Sequence, residues 1–71
     1  MAKVIKAHIT GNVWKIEVKV GDRVEEGTVV AILESMKMEM PVEAEEGGTV
    51  AELLCAPGDS VSEGQALVRL Q

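Results

Sequence analysis

Gly21-Asp22-Arg23-Val24-Glu25-Glu26-Gly27 and Gly58-Asp59-Ser60-Val61-Ser62-Glu63-Gly64 are two copies of one structural phrase. Adding 37 to a residue number carries the first copy onto the second, and the same shift pairs Gly11 with Gly48, Val13 with Val50 and Leu33 with Leu70. Gly21-Asp22 and Gly58-Asp59 bring turn chemistry to the start of each copy. Midway between the copies lies Glu34-Ser35-Met36-Lys37-Met38-Glu39-Met40-Pro41, with Lys37 at its centre. A duplicated β-unit with one lysine between its halves suggests a scaffold that presents that lysine. The chemistry would be done to Lys37, and through it, rather than in a catalytic cleft.

Outward from these copies the pattern is period two. Trp14, Ile16, Val18 and Val20 alternate with Lys15, Glu17 and Lys19, which predicts a half-buried strand. Met38, Met40, Val42 and Ala44 alternate with Glu39, Pro41 and Glu43 in the same way. Thr28-Val29-Val30-Ala31-Ile32-Leu33 is a continuous apolar run that reads as a strand buried on both faces, and Ala66-Leu67-Val68-Arg69-Leu70 occupies its place in the second half. Gly11-Asn12, Glu46-Gly47-Gly48 and Pro57-Gly58-Asp59 punctuate the runs with turn residues. Short strands at even spacing predict an all-β sandwich or flattened barrel.

The segment around Lys37 conflicts with this pattern. Its residues are mostly good helix formers, lodged in a β protein. One strand over 28–44 would far exceed the usual five or six residues, so the chain is expected to reverse there, which would also let each half of the duplication close on itself. The Gly and Asn of an ordinary hairpin tip are missing. Such a conflict between propensity and context marks a functional or strained place.

Composition narrows the function classes. Seventy-one residues are expected to form one domain, 1–71, near the lower limit for a chain that folds alone. So small a core leaves little room for a deep pocket, which disfavours an enzyme. The net charge of −5 opposes binding to nucleic-acid backbones. One cysteine allows no internal disulfide, one histidine and one cysteine cannot make a structural zinc site, and no apolar run reaches membrane-spanning length. The default location is cytoplasmic, with no membrane partner. Cys55 reads as a small buried side chain, Trp14 as a core or edge-covering residue, and His8 as an incidental surface residue in the first alternating strand. The carboxylate pairs Glu25-Glu26 and Glu45-Glu46 read as solvated turn residues, since paired-carboxylate glycosidase chemistry needs a sugar cleft that this chain is too small to supply.

A lysine amine is protonated at neutral pH, with a reference pKa of about 10.4, so an enzyme that acylates Lys37 must deprotonate it and supply an activated acyl donor. The lysine must then be exposed, rigidly displayed and reachable from outside, which a β-turn tip provides. A Schiff-base lysine needs a desolvating pocket instead, and nothing in the sequence supplies one.

At these residues the chain resembles a known family. Met36-Lys37-Met38, within Glu34 to Pro41, is similar to the attachment motif of biotinyl carrier domains, where alanine often stands at the position of Ser35. The paired Gly-Asp-x-Val-x-x-Gly phrases are shared by biotinyl and lipoyl domains, and the resemblance runs from about Val4 to Leu70. It implies a flattened β-sandwich of two four-stranded antiparallel sheets related by a pseudo-twofold, with Lys37 in an exposed hairpin. It implies that biotin protein ligase acylates Lys37 with biotin. The chain would then be a carrier of an activated carboxyl group between the sites of a biotin carboxylase and a carboxyltransferase, and not itself an enzyme. Met36 and Met38 map onto the positions flanking the modified lysine, and Glu39 onto surface that the ligase could read. Between Val20 and Leu33 there is no room for the protruding thumb of some acetyl-CoA carboxylase carriers. A lipoyl domain is the nearest alternative, although such domains usually carry Asp-Lys-Ala at the tip, and an unmodified β-sandwich interaction module is the third.

Overall fold

The computed structural model describes residues 3–71; Met1 and Ala2 of the expected domain lie outside the described residues. Eight strands follow in chain order: β1 (Lys3–Lys6), β2 (Gly11–Ile16), β3 (Arg23–Val24), β4 (Val29–Ser35), β5 (Met38–Glu43), β6 (Gly48–Leu53), β7 (Ser60–Val61) and β8 (Ala66–Leu70). They form two four-stranded sheets, β1-β8-β6-β3 and β5-β4-β2-β7, with every pairing antiparallel. The all-β sandwich expected from the sequence is the fold.

The shift of 37 residues runs through the whole core. The buried hydrophobic residues of the first half are Ile5, Ala7, Val13, Val24, Val30, Ala31 and Leu33; those of the second are Val42, Ala44, Val50, Val61, Leu67, Val68 and Leu70. Every one maps onto its counterpart. The repeated Gly-Asp phrase is equally legible in its bonds. Gly21 and Gly58 take φ of 95° and 94°, and Gly27 and Gly64 take 89° and 87°, the left-handed region where a side chain is disfavoured. Asp22 Oδ2 accepts from the Lys19 amide at 3.0 Å, and Asp59 Oδ2 from the Ala56 amide at 2.9 Å. Val24 and Val61 are the buried pins between the turns.

The halves do not close on themselves. Each sheet takes two strands from each half: β1 and β3 lie with β6 and β8, while β5 and β7 lie with β2 and β4. The Gly21 amide donates to the Val50 carbonyl, and the Gly58 amide to that of Val13, both at 2.8 Å. The two copies are interleaved, so each completes the other's sheet.

Bulges correct three further expectations. The strand expected over Trp14–Val20 ends at Ile16, and its alternation is interrupted where β2 and β4 slip between Val13 and Lys15. Val13 faces the core, Trp14 and Lys15 both face outward, and Trp14 is 50% exposed rather than in the core. The apolar run on β4 is not buried on both faces: a slip between Val29 and Ala31 places Val30 and Ala31 both in the core, while Val29 and Ile32 are half-buried. His8 is exposed as expected, but in the bend after β1 rather than in a strand. Cys55 is half-buried, its thiol 3.8 Å from the Leu67 carbonyl oxygen.

Candidate lysine-bearing hairpin

Strands β4 and β5 meet in a two-residue turn. Ser35 pairs with Met38, Glu34 with Glu39, Leu33 with Met40 and Ile32 with Pro41, leaving Met36 and Lys37 as the loop. Their φ values are 53° and 65°, the pair of left-handed conformations that defines a type I′ hairpin. Asn-Gly usually fills such a turn. For residues with a Cβ the conformation costs roughly 1–2 kcal/mol each, and the fold holds it because the register of β4 and β5 on either side is set by Leu33 and Val42 in the core. The reversal that propensity alone would not place at Met36-Lys37 is therefore imposed by the flanking strands.

The side chains of the turn are on the outside. Met36 is 91% and Met38 58% exposed, and Lys37 and Glu39 are exposed with them. Met40, two residues further along β5, is half-buried and continues the inward alternation to Val42 and Ala44. Among the described residues the ion pairs are Lys3–Glu46, Lys15–Glu17 and Arg69–Glu52, and none engages Lys37. The shallow concavities, of about 320 and 420 Å³, lie along Lys3–Lys6 and Pro41–Glu45 and include neither Met36, Lys37 nor Met38. No group of acidic, histidine or cysteine side chains among the described residues is arranged to hold a metal. Lys37 is thus an exposed primary amine on a two-residue turn, outside both of these concavities. That arrangement suits amide attachment of a flexible acyl group and offers nothing for Schiff-base chemistry.

The base of the hairpin is braced from β2. A Cβ built on Gly11 would lie 2.5 Å from the carbonyl oxygen of Glu34, so only glycine lets β2 approach the strand that leads into the turn. One feature is visible only with the register in hand. Glu34 and Glu39 face each other across β4 and β5, a like-charge pair that works against the sheet. Around a two-residue loop, residues three before and two after the lysine are cross-strand partners, a signal available in the sequence once the turn is known. Pro41 also gains a reason: the closing pair Ser35–Met38 exchanges hydrogen bonds, alternate pairs do not, and so the missing N–H of Pro41 faces the open edge of β5, where it discourages strand addition.

Residues 1–70 match the family described as "Biotin-requiring enzyme". The chain is 48% identical over 66 residues to a biotin/lipoyl attachment protein of Bacillus subtilis (strain 168), covering 93% of this chain and 90% of the relative. It is 46% identical over 68 residues to a putative urea carboxylase of Emericella nidulans, covering 92% of this chain and 6% of that one. Among solved structures the urea carboxylase of Kluyveromyces lactis superposes with a TM-score of 0.93 at 38% identity, over 100% of this chain and 6% of that chain. The chain therefore spans nearly all of a small relative and only a small part of the carboxylases. With the match running over the duplicated halves and the lysine hairpin alike, the chain belongs to the biotin-requiring enzyme family of biotin/lipoyl attachment domains.

Proposed function

We propose that residues 1–71 act as a biotin carboxyl carrier domain in which Lys37 is the attachment site. The observation that carries this reading is the exposed, left-handed Met36-Lys37 turn at the midpoint of a fold that spends its whole core on holding two interleaved halves. The deprotonated Nζ of Lys37 attacks the acyl carbon of biotinyl-adenylate in the active site of biotin protein ligase. An amide bond forms, the acyl–phosphate bond breaks with release of AMP, and the proton lost from the amine passes to the ligase or to solvent. Held there by the Lys37 amide, biotin would supply a ring able to carry a carboxyl group between a biotin carboxylase site and a carboxyltransferase site. The chain's own part is non-catalytic. The turn holds the amide at a defined point, Met36 and Met38 present soft apolar contacts beside it, and Glu39 offers a carboxylate to the ligase. The cytoplasm is the compartment in which such a domain would meet its ligase and carboxylase. Incubation of the biotinylated chain with a biotin carboxylase, ATP and labelled bicarbonate tests the shuttle role: label should travel with the chain and be absent from Lys37→Arg, and a biotinylated chain that never acquires label would defeat it.

The 48% identity to a relative named for both attachments supports a second reading, lipoylation of the same lysine. A lipoate ligase that modifies the chain faster than biotin protein ligase does would favour it.

A further inference from the structure

The outer faces of the two sheets are built on the same backbone and decorated differently. On the sheet that carries Lys37, the row across β5, β4 and β2 is Pro41, Ile32 and Lys15, with Trp14 bulged out beside Lys15. The corresponding row on the other sheet is Val4, Arg69 and Glu52, with Ala51 at the bulge. There Arg69 Nε donates to Glu52 Oε1 at 3.2 Å, an ordinary solvated ion pair. The fold therefore needs neither an apolar side chain at the position of Ile32, where the other sheet has Arg69, nor a large one at that of Trp14, where it has Ala51. Yet the lysine-bearing sheet puts a half-buried isoleucine and a half-exposed tryptophan there, beside an exposed proline that takes the place of Val4. The next row toward the turn is Asn12, Glu34 and Glu39, on the same outer face by the alternation of the strands. Its two opposed carboxylates have no cationic partner among the ion pairs of the described residues.

We propose that this outer face, Trp14, Ile32 and Pro41 with Glu34 and Glu39 between them and the turn, is the seat of the enzyme that acylates Lys37, through a surface with an apolar recess for the tryptophan and cationic groups opposite the two glutamates. The inference rests on the carrier reading. Acyl transfer to Nζ leaves only the lysine side chain between the hairpin backbone and the reacting carbon, so the acylating enzyme must close over the turn and the face that continues from it. An enzyme acting later, at the far end of a long flexible arm, is under no such constraint. Ile32 lies three residues down the strand from Ser35, about 10 Å at the rise of a β-strand, well inside a footprint of about 800 Å² per partner. Tryptophan is among the residue types enriched at the energetic centres of such contacts, and two unpaired carboxylates beside it supply the charge that a cationic recess would match.

The test is the steady-state kinetics of biotinylation by biotin protein ligase, with the carrier chain as varied substrate. Trp14→Ser should raise KM for the carrier at least tenfold with kcat little changed, and Trp14→Phe should recover most of the loss. Glu34→Gln/Glu39→Gln should raise KM less and flatten its dependence on salt. Glu52→Gln/Arg69→Gln on the opposite sheet should leave KM within twofold. The thermal midpoint of each variant reports folding independently, and a Trp14→Ser chain that failed to fold would leave Trp14→Lys and the glutamate pair to carry the comparison. Folded variants of both kinds with unchanged KM would overturn the docking face and leave Lys37 as acceptor intact. A wild-type chain that no biotin protein ligase labels would overturn both.

Discussion

Met36 and Lys37 both sit in the left-handed region although neither is glycine or asparagine, and that choice trades stability for the side chains the turn displays. Replacing the pair by Asn-Gly should relieve the two strained conformations. After the entropy cost of the added glycine, a net gain of about 1 kcal/mol is expected, read as a rise in the urea midpoint. The same variant has no acceptor amine and should never be acylated. Lys37→Arg should leave the thermal midpoint within about a degree, since an exposed loop side chain contributes little to stability, while abolishing modification. Cys55 behaves in the opposite way. Burial, and then the negative charge of Asp59, push its thiol above the ordinary value of 9.0, so it holds its proton through neutral pH. Alkylation at pH 8 should be slow in the folded chain and accelerate severalfold in urea, and equal rates in the two states would contradict the burial described.

The elements show which parts of the fold a reader of the sequence can reach. The Gly-Asp-x-Val-x-x-Gly phrases are legible as repeated turns because glycine at Gly21 and Gly58 has one job, a left-handed turn position. The carboxylates that accept amides and the valines that pin the core between the turns emerge only with the structure. The bulges were not legible. An alternating run such as Trp14 to Val20 carries no mark of the slip between Val13 and Lys15 that turns Trp14 outward, because the slip is set by the pairing strand and not by local preference. Strand length alone predicts a reversal between 28 and 44, but its place as a tight turn at Met36-Lys37 was illegible to local rules for the same reason and came only through resemblance. Gly11 and Gly48 offer a sharper test of the elements. A Cβ on Gly11 would meet the Glu34 carbonyl at 2.5 Å, whereas one on Gly48 would meet the Gln71 carbonyl at 3.2 Å. Gly11→Ala should therefore cost about 2–3 kcal/mol and loosen the base of the lysine hairpin, and Gly48→Ala about 1 kcal/mol. Amide exchange of Ser35 and Met38 should quicken in the first and not in the second.

At the scale of the molecule, the shift of 37 residues maps every buried hydrophobic residue of one half onto one of the other, and the strands of the halves are interleaved in both sheets. Mirror substitutions should then cost alike: Leu33→Ala and Leu70→Ala, both fully buried, should each remove about 2–5 kcal/mol, enough to leave so small a domain largely unfolded. Peptides covering 1–37 and 38–71 should be unfolded alone by circular dichroism, because neither holds a complete sheet; a folded half-peptide would contradict the interleaving. Symmetry is broken where the connection between the halves is the two-residue turn, and there the chain places its exposed lysine. The central claim is that this lysine is where the carrier group is attached. Its most direct test is the intact mass of the chain after incubation with biotin protein ligase, ATP and biotin, followed by peptide mapping. One biotinyl addition, located on Lys37 and absent from Lys37→Arg, is the expected result, and an addition on another lysine, or none, would contradict the account.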